Sequence, residues 1–183
     1  MNEAQNQHYS PVSKLLHWSI ALFVIIQIPL GVYMVTLSNE DIWYYRCLDL
    51  HQLIGVSLLM LVAASILWRF VTPTPKALPT ITRIQNAAAK TTHVTLSLIL
   101  LIQPLLGYLF VTAWGDPLEI YAILKIPAIT ELNKDTSEKV IDIHAYLAYT
   151  LATLGAIHVI ASLKHHYIHK NLILKRMLPR NKN

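Results

Sequence analysis

Nine histidines occur among the 183 residues of this chain, and several occupy positions where a polar side chain carries a free-energy cost. Five lie in or at the ends of long apolar stretches: His17, His51, His93, His144 and His158. Polar side chains are costly inside a bilayer, so a histidine there usually serves a functional site or makes a hydrogen bond to a neighbouring helix. For a single residue both explanations stay open. Five together favour a functional site.

Two of these histidines share one predicted helix. His158 follows His144 by 14 residues, which is close to four turns at about 3.6 residues per turn. Both side chains therefore lie on one helix face, separated along the axis by about 21 Å. Each has a partner at matching depth in another apolar stretch: His51 for His144, and His17 for His158. We expect two pairs of imidazoles at two depths.

Paired imidazoles inside a helical bundle are typical of b-type haem, whose iron takes two axial histidines. Zinc fits less well, because it takes three or four protein ligands and the apolar stretches contain no Asp or Glu. The only cysteine, Cys47, provides no CxxCH motif for covalent haem attachment. We therefore predict two non-covalent haem groups. A haem-free transporter or metal carrier is the remaining alternative.

Four apolar stretches position the histidines, at about residues 15–35, 50–68, 91–114 and 143–163. None contains a charged residue, and each is long enough to cross a hydrocarbon core of about 30 Å as a helix. The chain is 54% hydrophobic and only 14% charged, with a mean hydropathy of +0.44. We predict an all-α integral membrane protein: one domain over residues 1–183, folded as an up-and-down four-helix bundle without an evident internal repeat.

The charges between these stretches predict the orientation. The second connection and the tail after the fourth stretch contain Lys and Arg but no acid, whereas the first and third connections hold nine acids against Arg46 and three lysines. Because basic connections stay in the cytoplasm, we predict an N-in, C-in topology. His17 and His158 then form an inner pair, and His51 and His144 an outer pair. Since the positive charge lies at the ends of apolar stretches, the net charge of +5 does not indicate binding to nucleic acid.

Two further histidines lie near the inner pair. His93 opens the third stretch at the depth of His17 and His158. We favour a contact to a haem propionate or quinone, or a structural hydrogen bond, over a role as an axial ligand. His165 follows His158 by seven residues, nearly two turns, on the same face. A quinone headgroup needs a hydrogen-bond donor at this boundary, and histidine supplies one. Contacts to lipid phosphates explain the neighbouring His166 and His169 equally well.

Several short motifs occur in one order along the chain. They are Lys14-Leu15-Leu16-His17-Trp18, His51-Gln52-Leu53-Ile54-Gly55, Arg69 with Pro73-Thr74-Pro75, His93 with Pro104 and Gly107, His144 through His158 to His165-His166-Tyr167, and Arg176-Met177-Leu178-Pro179-Arg180. In this order and spacing the chain resembles the bacterial cytochrome b561 proteins over nearly its whole length.

The resemblance implies a multi-pass protein of the bacterial inner membrane with two haem b groups, whose axial ligands are His17, His51, His144 and His158. It also implies electron transfer to ubiquinone near the inner haem, with His165 as the quinone contact. Family members are described as superoxide oxidases, which makes superoxide the expected outer donor. Related proteins are haem-bearing membrane subunits of dehydrogenases and hydrogenases. The acidic outer connections do not favour the steering of an anion, so the identity of the donor stays open.

Overall fold

The computed structural model of the protein describes residues 8–178. Its four helices are α1 (Pro11–Met34), α2 (Ile42–Val71), α3 (Arg83–Val111) and α4 (Lys134–Tyr167). By length and composition, all four are able to cross a membrane. The predicted four-helix membrane architecture is confirmed.

Each helix begins after a residue whose side chain caps it. Ser10, Asp41, Thr82 and Asn133 each accept a hydrogen bond from a backbone N–H of the first turn. Such caps satisfy amide groups that have no partner inside the helix. The helices therefore begin before the predicted apolar stretches, most clearly in α2, α3 and α4. The apolar stretch marks the part of a helix inside the hydrocarbon core, whereas the cap marks where the helix begins.

The bundle is built from two helix pairs. α1 packs against α2 and α3 against α4, while α2 and α3 join the pairs; α1 and α4 make hardly any contact with each other. The two ends of the described chain meet at one end of the bundle, where Lys14 Nζ donates to the Leu178 carbonyl over 2.7 Å and Trp18 Nε1 to the Met177 carbonyl over 2.9 Å. We call this the inner end, after the predicted orientation.

Large apolar side chains cover the outside of the bundle. Leu22, Ile25, Met60 and Ile160 are each more than half exposed, whereas a stripe of Ile54, Leu58 and Val62 on α2 is buried. Helices that are apolar on both their inner and outer faces are characteristic of membrane spans. The exposed apolar surface is the surface in contact with lipid.

The third connection forms a β-hairpin over the outer end. Strands β1 (Leu118–Ile120) and β2 (Leu124–Ile126) pair in antiparallel fashion, so a short hairpin accompanies the four helices of the predicted all-α bundle. Three residues join the strands, and two of them, Tyr121 and Ala122, adopt left-handed φ values of 49° and 56°. Leu118 and Ile120 are buried, and β1 packs against α2.

Replacing Ile120 with alanine should loosen this hairpin, because the isoleucine is only 2% exposed. Emptying such a buried site destabilises the packing by about 2 kcal/mol or more. Ile123 lies in the same hairpin but is 90% exposed, so Ile123→Ala is the matched control and should cost less than about 0.5 kcal/mol. Thermal unfolding and the rate of proteolysis within residues 115–130 measure the effects of the two substitutions. Equal effects of the two substitutions would show that the hairpin is not packed on the bundle.

At the inner end, the chain after α4 folds back across the bundle. Asn171 and Arg176 are buried there, and Arg176 donates to the Lys76 carbonyl over 2.9 Å. The tail therefore joins α4 to the second connection and to α1. The last residues of the predicted tail motif, Pro179 and Arg180, lie outside the described residues.

Candidate functional site

The outer pair of histidines meets between α2 and α4. The ring centroids of His51 and His144 are 6.2 Å apart, and the ring planes are inclined by 62°. Both helices reach this point from the outer end, as the spacing of the apolar stretches requires.

The inner pair meets between α1 and α4 with nearly the same geometry. The ring centroids of His17 and His158 are 6.3 Å apart, with an interplanar angle of 66°. The structure thus brings together both pairs that depth and helical periodicity indicate, one toward each end of the bundle.

Both separations fit an iron between two axial imidazoles. A metal ion bonded at about 2 Å to one nitrogen of each ring places the centroids roughly 6 Å apart. The loose seam between α1 and α4 provides room for a flat group beside the inner pair. Within residues 8–178, no group of three or more His, Cys, Asp or Glu side chains is arranged to hold a metal ion. The donor sets are pairs of imidazoles, as two haem b groups require.

The ring of His144 is held by α3, the helix that precedes its own. His144 Nδ1 lies 3.0 Å from the Gln103 carbonyl oxygen. Since a carbonyl only accepts, Nδ1 carries the proton and Nε2 keeps a lone pair for a metal. His51 Nδ1 is buried and has no hydrogen-bond partner among the described residues.

Two glycines make room for these rings. A Cβ atom on Gly31 would lie 3.0 Å from His51 Cε1, and one on Gly107 would lie 3.2 Å from His144 Cε1. Both positions are glycine for a specific reason, because each lies against an outer imidazole.

His93 lies beside the inner pair. Its ring centroid is 5.2 Å from that of His158, which is shorter than the centroid distance within either histidine pair. The two rings meet between α3 and α4. These two helices pack more closely than α1 and α4 do, which leaves less room for a porphyrin between them. The packing favours His17 over His93 as the partner of His158.

His165 is held by a residue that the sequence did not suggest. Asn171 Nδ2 lies 2.9 Å from His165 Nδ1, and the side-chain Oδ1 of Asn171 accepts from the Ile173 N–H over 3.3 Å. The amide nitrogen therefore faces the ring and donates to Nδ1, which leaves the proton of the neutral imidazole on Nε2. Asn171 lies beyond the end of α4, where no periodicity relates it to His165.

The outer surface near His51 is acidic. A cleft of about 460 Å³ is lined by Gln52, Val111, Asp116, Pro117 and Glu119. The three outer lysines are in ion pairs, Lys125 with Glu119, Lys134 with Glu138 and Lys139 with Asp135, and Arg46 lies over the Trp43 ring. The three lysines are neutralised locally by these carboxylates, whereas the Trp43 ring leaves the charge of Arg46 in place, so the outer cations do not form an extended positive entrance.

Four membrane-spanning helices with two imidazole pairs, one toward each end of the bundle, are the arrangement of a membrane protein that binds haem and transfers electrons. The profile of the prokaryotic cytochrome b561 family matches residues 8–180, and the chain belongs to this family. It is therefore a multi-pass bacterial membrane protein that transfers electrons, and membership of the family implies that it binds haem b.

Three curated relatives span nearly the whole chain. Cytochrome b561 homolog 2 of Escherichia coli K12 is 35% identical over 172 residues, covering 94% of this chain and 92% of the relative. Cytochrome b561 homolog 1 of the same strain is 27% identical over 174 residues, covering 95% and 98%. The probable superoxide oxidase CybB of Yersinia pestis is 24% identical over 180 residues, covering 97% and 99%.

Proposed function

We propose that the protein holds two haem b groups and passes electrons from an outer donor to a quinone near the inner end. His51 and His144 ligate the outer iron, and His17 and His158 the inner one. The observation that carries this proposal is the centroid separation of 6.2 Å and 6.3 Å in the two pairs. Haem b supplies one-electron redox chemistry at each pair, and two axial imidazoles leave its iron no open position for oxygen.

The positions of the two pairs suit transfer across a membrane. His144 and His158 are separated by about 21 Å along α4, most of the roughly 30 Å of a hydrocarbon core. The basic second connection and tail support an N-in, C-in orientation in the bacterial inner membrane. Electrons entering at the acidic outer end then leave at the cytoplasmic end.

His165 is the proposed quinone contact. With Asn171 donating to its Nδ1, the ring presents an Nε2–H donor, which a quinone carbonyl oxygen accepts. Reduction to quinol takes two electrons and two protons, so two one-electron transfers from the inner site and two protons from the inner side complete it. Ubiquinone is the quinone that the family resemblance implies.

Superoxide is our leading outer donor. Each superoxide gives up one electron and leaves as dioxygen, so two are consumed for each quinol formed. The name of the Yersinia pestis relative supports this choice. The paired lysines of the outer face do not support it, because an anion gains no steering from cations that are already neutralised.

A second candidate follows from that acidic face: the same two-haem path serving as the membrane subunit of a dehydrogenase or hydrogenase. In that case the donor is a protein docked at the outer or inner loops. Purification of the chain with a stoichiometric soluble partner supports this candidate.

Stopped-flow mixing of the purified oxidised protein with superoxide, with and without ubiquinone, tests the proposal. We expect rapid haem reduction without quinone, and steady quinol formation with it. Haem reduction that fails with superoxide but proceeds with dithionite would reject the superoxide role and leave the membrane-subunit function. Absence of haem from the purified protein would reject both the superoxide role and the membrane-subunit function.

A further inference from the structure

The first and third helices carry the same polar residues at the same spacing. In both, the order is Lys-x2-His-x9-Gln-x3-Gly-x3-Val-Thr, which places Lys14, His17, Gln27, Gly31, Val35 and Thr36 opposite Lys90, His93, Gln103, Gly107, Val111 and Thr112. The expectation of no internal repeat is therefore wrong. The motif is hard to see in the sequence because the residues between its members are interchangeable apolar ones.

The second helix of each pair completes the repeat. α1 packs on α2 as closely as α3 packs on α4, and His51 and His144 occupy matching places on α2 and α4. Six residues after each, a hydroxyl donates to a carbonyl one turn back: Ser57 to Leu53 over 2.8 Å and Thr150 to Tyr146 over 2.8 Å. The bundle thus consists of two helical hairpins that run in the same direction, as in membrane proteins with parallel internal repeats.

In both hairpins the first helix holds the outer histidine of the second. Gln27 Nε2 donates to the His51 carbonyl over 2.9 Å, and Gln103 Nε2 donates to the His144 carbonyl over 2.8 Å. One turn further along, Gly31 and Gly107 face the Cε1 atoms of the same two rings. The glutamine fixes the backbone of the histidine, and the glycine allows its ring to lie against the neighbouring helix.

We propose that Gln27 and Gln103 are a matched pair of positioning residues for the outer haem, one from each hairpin. This inference rests on the proposed ligation of that haem by His51 and His144. Each amide ties the backbone of a ligand to the adjacent helix, so that the Cα atom from which the imidazole projects cannot shift along the helix axis. The buried Oε1 atoms of both glutamines lack a partner among the described residues, so the donated hydrogen bond is the contact through which each would act.

The repeat is broken at the inner end. His17 and His93 occupy matching places, but the position on α2 that matches His158 on α4 is Ser65. The inner end therefore has one proposed iron-binding pair and one surplus histidine. His93 is the copy of His17 whose matching partner position, on α2 of the other half, is Ser65 and not a histidine. Because the glutamines act only at the outer end, the inner haem is an internal control in every variant.

The variants Gln27→Met and Gln103→Met test the proposal, since methionine matches glutamine in length but donates no hydrogen bond. Electron paramagnetic resonance of the oxidised protein and a redox titration follow each low-spin haem separately, and the His51→Ala variant identifies which signals belong to the outer haem. We expect both single variants to shift the g values and the midpoint potential of the outer haem alone, in the same direction and by similar amounts. The double variant should lose part of its outer haem.

Thr153→Val is the control, because Thr153 donates only to Tyr149 of its own helix and should leave both haems unchanged. Gly31→Ala and Gly107→Ala provide an independent approach and should perturb the same outer signals. If the wild type binds both haems but neither glutamine variant alters the outer signals, the positioning role is wrong while the proposed function stands. If the wild type binds no haem, the proposed function itself fails. Equal shifts of both haems would indicate a general loss of structure and would also reject the positioning role.

Discussion

Replacing His144 with alanine should reduce the haem content of the purified protein from two haem b per chain to one, and the remaining haem should be low-spin. The ring of His144 faces His51 across 6.2 Å, so the substitution removes one of the two axial imidazoles of the proposed outer site. The inner pair, about 21 Å away along α4, keeps both of its ligands. His158→Ala should give the complementary result, in which only the outer haem is retained. A pyridine haemochrome assay against protein concentration measures the loss, and electron paramagnetic resonance shows which signal disappears.

His93→Ala is the matched control for these substitutions. Its ring is near His158, but α3 packs closely on α4 and His17 is the proposed inner ligand, so both haems should be retained with low-spin signals. Loss of the inner haem in His93→Ala, together with its retention in His17→Ala, would show that His93 and not His17 is the inner ligand.

His165→Phe should lower the rate of ubiquinone reduction by roughly 10-fold or more while leaving both haems bound and reducible. Losing a hydrogen bond that stabilises the forming quinol is worth about 1.5 kcal/mol, or about 10-fold in rate. Asn171→Leu should act in the same direction and more weakly, because it removes the hydrogen bond that orients the ring but leaves the Nε2–H donor of His165 in place. Quinol formation under steady state, with the rate of haem reduction measured separately, distinguishes a quinone effect from a haem effect.

His169→Phe is the control for the quinone prediction. His169 is exposed, and its ring centroid is 5.2 Å from that of His165, so the variant tests for a general perturbation of the inner end. It should leave the rate of quinone reduction within about two-fold of wild type, a difference of roughly 0.4 kcal/mol. An unchanged quinone rate in His165→Phe, or equal losses in the two variants, would remove His165 from the proposed site.

The helices and the histidine pairs could be predicted because few physical constraints determine them. An uncharged apolar stretch of sufficient length has one stable form in a bilayer, the helix. Once α4 is a helix, the spacing of His144 and His158 fixes their common face and their depths. The other two ligands then follow from where the apolar stretches containing His51 and His17 begin.

The connections could not be predicted, because their structure depends on contacts that a single sequence does not show. The outer hairpin turns at Tyr121 and Ala122, whereas the usual sequence signals for such a turn are Asn-Gly or Asp-Gly. The inner tail places Asn171 on His165 through an irregular segment after α4. Neither arrangement has a periodicity that could reveal it.

The glutamines were missed for a different reason. Gln27 and Gln103 are uncharged, and each stands alone among apolar residues, so neither attracts notice as the histidines do. Only their identical hydrogen bonds to the backbones of His51 and His144 show that they belong together. With those bonds known, the repeated spacing of His, Gln and Gly in α1 and α3 is plain in the sequence.

The most direct test of the account is the ratio of haem to chain in the purified wild-type protein, measured by pyridine haemochrome and combined with a redox titration. We predict two haem b per chain, both low-spin and titrating as two one-electron centres, with no binding of carbon monoxide to the reduced protein. A ratio of one or zero, or a high-spin haem that readily binds carbon monoxide, would contradict the two bis-histidine sites.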